Sequence, residues 1–105
     1  IPAGKLEPRE DPRAAAIREL EEECGLTADC VVDLHPVYPS VGYDTEVIHM
    51  YLATGLHETK CHPDEDEFLD RLSYPLDTLV EMVMNGEICD AKTVAGILKA
   101  KRMLG

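Results

Sequence analysis

The sequence predicts an α+β fold in a single domain that covers residues 1–105. The first observation is a run of helix-forming residues between a strong start signal and a strong stop signal, early in the chain. The second is a set of β-branched and aromatic segments in the middle of the chain, separated by turn residues. The third is a pair of amphipathic segments at the C-terminal end. Helices therefore flank the strands along the chain, which is typical of an α+β fold with a mixed sheet.

The first helix is predicted to span Pro12–Cys24. Asp11 can accept backbone N–H bonds as the N-cap, and Pro12 fits the first helical position. Gly25 supplies the C-terminal stop. Three residues at three- and four-residue spacing form an apolar stripe that we expect to hold this helix against a sheet: Ile17, Leu20 and Cys24.

Strands are predicted in the middle of the chain because valine, isoleucine and tyrosine concentrate there. Residues 30–40 are expected to form one or two strands, and residues 46–54 a further strand. An acidic loop follows, and then a shorter strand that begins at Phe68 and ends near Pro75.

Two more helices are predicted after Pro75. The first has Leu76, Leu79, Val80 and Val83 at helical spacing, and Asn85-Gly86 ends it. Asp90 can cap the last helix, whose basic residues suit its C-terminal end.

Composition excludes several classes of function. The chain carries 21 acidic and 10 basic residues, a formal net charge of −11, which argues against binding nucleic acid. No apolar run reaches the roughly 18 residues that a membrane span needs. The four cysteines form no C-x-x-C pair, so we interpret them as reduced thiols of a cytoplasmic protein. Cys61-His62 has no second ligand pair at zinc spacing, so a zinc site is not expected.

The first helix concentrates negative charge on one face. Glu19, Glu22 and Glu23 stand at i, i+3 and i+4, where like charges repel one another. A solvated acidic face is the usual explanation for such a pattern. The other explanation is a site for a hard divalent cation, which would remove the repulsion.

Residues 4–26 match the Nudix box, G-x5-E-x7-R-E-U-x-E-E-x-G-U, in which U is aliphatic. Every fixed position is filled: Gly4, Glu10, Arg18, Glu19, Leu20, Glu22, Glu23, Gly25 and Leu26. The chain thus resembles the Nudix hydrolase family, and outside the box it is similar to the ADP-ribose pyrophosphatases. One departure is Ser40-Val41-Gly42, where many relatives of that class read S-P-G. The resemblance implies a sandwich of helices around a mixed sheet.

The resemblance also implies a site for Mg²⁺, or for Mn²⁺ in its place. Glu19 and Glu23 would be the main ligands, with help from Glu22 and from the backbone carbonyl of Ala3. Arg18 and Glu10 would form a pair that braces the loop and the helix. Arg18 can also form an ordinary i,i+4 pair with Glu22, and both contacts can exist together.

The reaction that the resemblance implies is hydrolysis of the pyrophosphate bond of a nucleoside diphosphate sugar, with ADP-ribose giving AMP and ribose 5-phosphate. Glu22 and the acidic loop would supply the catalytic carboxylates. We expect Glu67 to be the base, because it directly precedes the strand beginning at Phe68, and Glu65 is the second candidate. Glu46 and His49 either line the substrate cleft or belong to a plain strand.

Other functions remain open at this point: a module that binds a nucleotide sugar without cleaving it, an inactive fragment, or a hydrolase of oxidised nucleoside triphosphates. The family places strands, base-recognition residues and homodimer contacts before the box. We therefore expect this chain to lack the N-terminal portion of the fold, and the whole protein to be a homodimer with no nucleic-acid or membrane partner.

Overall fold

The computed structural model describes residues 1–59 and 72–105, and that part of the chain contains three helices and two strands. They are, in chain order, α1 (Pro12–Cys24), β1 (Leu26–Asp33), β2 (Tyr51–Glu58), α2 (Leu76–Met84) and α3 (Ala91–Leu104). The predicted α+β class is confirmed. No described helix is long and apolar enough to cross a membrane.

The bounds of α1 are those predicted from the sequence. The Asp11 carboxylate accepts a hydrogen bond from the Ala14 N–H at 3.1 Å, which satisfies one of the free donors of the first turn. Gly25 takes a left-handed conformation with φ of 66°, and its N–H donates to the Glu21 carbonyl. That conformation is accessible to glycine at little cost, so the chain turns out of the helix there.

The strands β1 and β2 form an antiparallel pair, in register from Leu26 opposite Glu58 to Asp33 opposite Tyr51. The predicted strand limits, 30–40 and 46–54, are wrong at both ends. β1 begins directly after the helix stop, and β2 continues through Gly55 to Glu58. The limits of a strand follow its partner, which the β-branched composition of one segment does not reveal. A mixed sheet also needs a parallel strand, and none lies within the described residues.

The segment between the strands leaves regular pairing soon after β1. His35 has a positive φ of 70°, and Pro36 follows it. Beyond that bend the only strand-like contact described in the segment is an isolated bridge between Val37 and Ile48. The bend explains why residues 34–40 do not continue the predicted strand.

The helices α2 and α3 confirm the two C-terminal predictions. Asp90 caps α3 by accepting from the Thr93 N–H, and Lys101 of α3 pairs with Asp77 of α2 at 2.8 Å. Half of the predicted strand from Phe68 to Pro75, residues 68–71, lies outside the described residues. Its described part, residues 72–75, is irregular, because Pro75 stands at the cap position of α2.

Contacts divide the chain into two compact units, Ile1–Asp33 with Tyr51–Arg71, and Leu34–Met50 with Leu72–Gly105. In the first unit α1 packs against β1, and Ala15 and Leu26 are buried. The predicted apolar stripe is wrong at Ile17, which is 41% exposed.

Candidate functional site

The candidate site is centred on Arg18, in the second turn of α1. Its Nη1 donates to Glu19 Oε1 and to Glu22 Oε2, both at 3.0 Å. Its Nε donates to Glu10 Oε2 at 2.8 Å, and its Nη2 donates to Glu10 Oε1 at 2.9 Å. We call these four residues the Arg18 cluster. Three carboxylates therefore share one guanidinium, whose planar fork suits several acceptors at once.

The contact between Arg18 and Glu10 is bidentate and joins the helix to the segment before it. It is the pair that the sequence led us to expect, and the i,i+4 contact between Arg18 and Glu22 is present beside it. The guanidinium, together with the Glu7 N–H, lowers the pKa of Glu10 to about 2. In return, the hydrogen bonds that Arg18 donates to Glu10 raise the pKa of Arg18 above its already high value. Glu10 is thus ionised throughout the neutral range.

Glu19 lies deeper in the site than Glu22. Its side chain is 18% exposed, whereas that of Glu22 is 49% exposed. Burial raises the pKa of Glu19, and the charges of Glu23 and Glu22 raise it further, while Arg18 acts in the opposite direction. The net result is a pKa of Glu19 above its ordinary value.

The segment before α1 contacts these carboxylates through its main chain. The Ala3 N–H donates to Glu23 Oε2 at 3.0 Å, and Arg18 Nη2 donates to the Lys5 carbonyl at 3.4 Å. Between them, Gly4 lies so close to the Glu19 carboxylate that a Cβ at position 4 would overlap it. These contacts could not be predicted from the sequence, because a backbone N–H or carbonyl carries no residue signal. The glycine at position 4 was the only indication of a close approach.

The donors in this region suit Mg²⁺. They are carboxylate oxygens on one helix face, with the main chain of Ala3 beside Glu23. In the described ranges, no three Asp, Glu, His or Cys side chains form a group that could hold a metal by itself. Mg²⁺ does not need such a cage, since it usually takes one or two carboxylates and completes its shell with water and substrate phosphates. The close approach of Gly4 to Glu19 shows that the loop is shaped around that carboxylate.

Four other predicted residues fall outside the described part of the first unit. Glu65 and Glu67, the candidates for the catalytic base, lie outside the described residues. Glu46 and His49 are exposed residues of the second unit, where the Glu46 N–H donates to the Asp44 carboxylate. Neither belongs to a described strand, so the plain-strand interpretation of this pair is wrong.

Comparison with known proteins decides the family. The family model described as NUDIX domain matches residues 1–95. This chain belongs to the NUDIX domain family. The glycines, glutamates and arginine described above are therefore those of a Nudix box.

Relatives of the chain include two proteins from Bacillus. The chain is 43% identical over 99 residues to a methanol dehydrogenase activator of Bacillus methanolicus. It is 42% identical over 99 residues to an ADP-ribose pyrophosphatase of Bacillus subtilis (strain 168). Each alignment covers 92% of this chain and 54% of the relative, so the chain spans about half the length of these curated relatives.

A solved structure described as an ADP compounds hydrolase has the same fold. It matches with a TM-score of 0.80 at 24% sequence identity, over 94% of this chain and 54% of that one. At this identity the likeness concerns the fold alone, and it confirms the Nudix fold predicted from the sequence.

Proposed function

We propose that this Nudix domain hydrolyses the pyrophosphate bond of a nucleoside diphosphate sugar in a reaction that depends on Mg²⁺, with ADP-ribose giving AMP and ribose 5-phosphate. The observation that carries the proposal is the Arg18 cluster. It holds Glu10, Glu19 and Glu22 together on one guanidinium, as a box built for metal binding requires. The ADP-ribose pyrophosphatase of Bacillus subtilis supports the choice of substrate.

Glu19 and Glu23 would hold the ion, with Glu22 and the Ala3 carbonyl assisting. When bound, the ion would neutralise the diphosphate and favour formation of the attacking hydroxide. Arg18 fixes the orientation of Glu19 and Glu22, and Glu10 in turn fixes Arg18. A carboxylate must accept the proton of the attacking water, and Glu67 is our first choice, followed by Glu65.

The test is a product assay. The chain is incubated with ADP-ribose and Mg²⁺, and AMP and ribose 5-phosphate are measured by chromatography. Glu23→Gln, which keeps the shape but removes the charge, should lower the rate by at least about 100-fold. A second arm uses a form extended at its N-terminus to the length of the relatives, because this chain spans about half of that length. If neither form releases AMP, the enzyme proposal fails.

A binding module is the alternative. It would bind the nucleotide sugar without cleaving it, so titration calorimetry would show binding while the product assay showed no AMP.

Exchange of Mn²⁺ for Mg²⁺ in the same assays decides which ion is preferred. Size-exclusion chromatography of both forms tests the proposed homodimer.

A second candidate function comes from the relative in Bacillus methanolicus. That protein, 43% identical to the chain, is named for activation of methanol dehydrogenase. The sequence identities of the activator and of the pyrophosphatase to this chain are nearly equal, so sequence identity does not favour one of the two functions. Adding the chain to a methanol dehydrogenase and measuring methanol oxidation tests this candidate directly.

A further inference from the structure

Three successive residues before α1 contact three different residues of the helix through their main chain. The Ala3 N–H donates to the Glu23 carboxylate. Gly4 lies against the Glu19 carboxylate. The Lys5 carbonyl accepts a hydrogen bond from Arg18. No side chain of the 3–5 segment takes part in these contacts. The contacts therefore depend on the path of the backbone.

The path of the 3–5 segment matches the dimensions of the helix. As the segment advances from residue 3 to residue 5, its partners run backwards along α1, from Glu23 to Arg18. Five helical residues rise about 7.5 Å. Two extended residues span about 7 Å. The segment thus lies antiparallel to the helix, and its extended length matches the rise of the helical residues that it contacts.

We propose that the 3–5 segment is a positioning element for the metal site, and that the Ala3 N–H sets the orientation of the Glu23 carboxylate. The inference rests on the proposed function, since it assigns Glu23 to a metal. The N–H uses Oε2 of Glu23, and within the described residues Oε1 makes no hydrogen bond, so that oxygen is available to the ion. Groups that orient a metal ligand in this way typically change metal affinity by 10- to 100-fold when they are lost.

The first experiment needs no metal. The exchange rate of the Ala3 amide proton with water is measured by NMR on ¹⁵N-alanine-labelled chain, and loss of one signal in Ala3→Gly assigns it. We expect exchange to be several-fold slower in the wild type than in Glu23→Ala. Glu23→Gln should restore the slow rate, because its amide oxygen can accept the same hydrogen bond. Equal rates in wild type and Glu23→Ala would overturn the proposal.

The second experiment measures affinity for Mn²⁺ by electron paramagnetic resonance. Ala3→Pro lacks the N–H, whereas the control Ala3→Gly keeps it, and neither substitution touches a carboxylate. We expect Ala3→Pro to bind Mn²⁺ about tenfold more weakly than Ala3→Gly, with similar thermal unfolding midpoints. In a Glu23→Ala background the same proline should have no further effect, because the residue through which it acts is gone.

The outcomes separate this inference from the proposed function. If Ala3→Pro and Ala3→Gly bind Mn²⁺ with equal affinity, the positioning role is wrong. The proposed hydrolase function is not affected by that result. If Ala3→Pro weakens Mn²⁺ binding further in the Glu23→Ala background, the positioning role is also wrong, because the proline would then act through a residue other than Glu23. If the wild type binds no Mn²⁺, the proposed function fails and the metal-positioning role fails with it, even if the amide measurement finds the hydrogen bond.

Discussion

Arg18 acts as the internal counter-charge of an acidic helix. One guanidinium contacts three carboxylates, of which Glu19 and Glu22 would otherwise repel each other at helical spacing. Lysine could not replace it, since an ammonium group is a point charge without the planar fork that holds Glu10 at both oxygens. We propose that a cation bound at Glu19 and Glu23 balances further negative charge on this helix.

Gly4 allows a direct test of the metal site without altering any charged residue. Gly4 is not in the left-handed region, so alanine brings no backbone strain there, but its Cβ would displace the Glu19 carboxylate. Because that carboxylate ends a flexible side chain, we expect Gly4→Ala to change the free energy of unfolding by less than about 1 kcal/mol. Affinity for Mg²⁺, measured by calorimetry, should fall about tenfold.

Gly42→Ala is the matched control for Gly4→Ala. A Cβ at position 42 meets nothing within 4 Å, and Gly42 is also outside the left-handed region. Its Mg²⁺ affinity should equal that of the wild type. If Gly4→Ala binds Mg²⁺ as tightly as Gly42→Ala, the close approach of the loop to Glu19 has no role in the site.

Glu10 gives a prediction about pH. Its pKa is lowered from 4.5 to about 2 in the folded protein, first by the hydrogen bond from Arg18. A lowered pKa means that the folded state favours the ionised form, so the stabilisation is complete above about pH 4.5 and is lost as the pH falls to about 2. Glu10→Gln should therefore be less stable than wild type at neutral pH, and the difference should disappear near pH 2. Urea unfolding followed by circular dichroism at several pH values measures it.

Glu21→Gln is the control for Glu10→Gln, because the Glu21 side chain is not part of the Arg18 cluster. The difference in free energy of unfolding between Glu21→Gln and wild type should vary less between pH 7 and pH 2 than the difference for Glu10→Gln. A constant difference for Glu10→Gln over that range would mean that the pair with Arg18 does not stabilise the fold.

The element that presents the site, α1, depends on its N-cap. The Asp11 carboxylate accepts the Ala14 N–H, and the helix begins at the next residue. Asp11→Ala should lower the free energy of unfolding by about 1 kcal/mol, because a free N–H of the first turn loses its partner. Asp11→Asn keeps an acceptor and should stay within a few tenths of a kcal/mol of wild type. Urea unfolding measures both, and equal losses in the two variants would contradict the capping role.

The helices could be predicted from sequence because their limits are local. Asp11, Gly25 and Asp90 each act within one turn of the chain, so the residue type alone marks the boundary. The strands could not, since β1 and β2 meet across about 25 residues and each sets the limits of the other. Gly55 illustrates the difficulty. A glycine in the sequence resembles a stop signal, and Gly55 does have a positive φ, yet β2 continues past it.

The whole molecule carries more negative charge than its ion pairs offset. With a formal net charge of −11 over 105 residues, repulsion works against the folded state at low ionic strength. Raising NaCl from about 10 to about 200 mM shortens the screening length from about 30 to about 7 Å. We expect the urea midpoint to rise over that interval.

An uncharged solute at matched osmolality is the control for the salt experiment. It should leave the urea midpoint nearly unchanged, since it does not screen charge. A midpoint that falls with NaCl would show the opposite balance, in which screening of favourable pairs such as those of Arg18 outweighs the relief of repulsion.

At the scale of the whole molecule, the sequence predicted the family and the contacts of Arg18 with Glu10 and Glu22, because the box is one contiguous pattern. The main-chain contacts of residues 3–5 were out of reach, since any residue has an N–H and a carbonyl. The exposure of Ile17 was also missed, because the apolar stripe was chosen by residue type and spacing, which do not show what each position packs against.

The described contacts of the candidate site all lie between residues 3 and 23, and the longest of them, from Ala3 to Glu23, spans 20 positions. Closing so short a loop carries a small entropic cost, and contacts of low sequence separation form quickly. The pairing of β1 with β2 closes a loop of similar length, since Asp33 and Tyr51 lie 18 positions apart, so loop closure does not delay either set of contacts. The described contacts also lie in one continuous stretch of sequence, so a segment of 21 residues carries all of them.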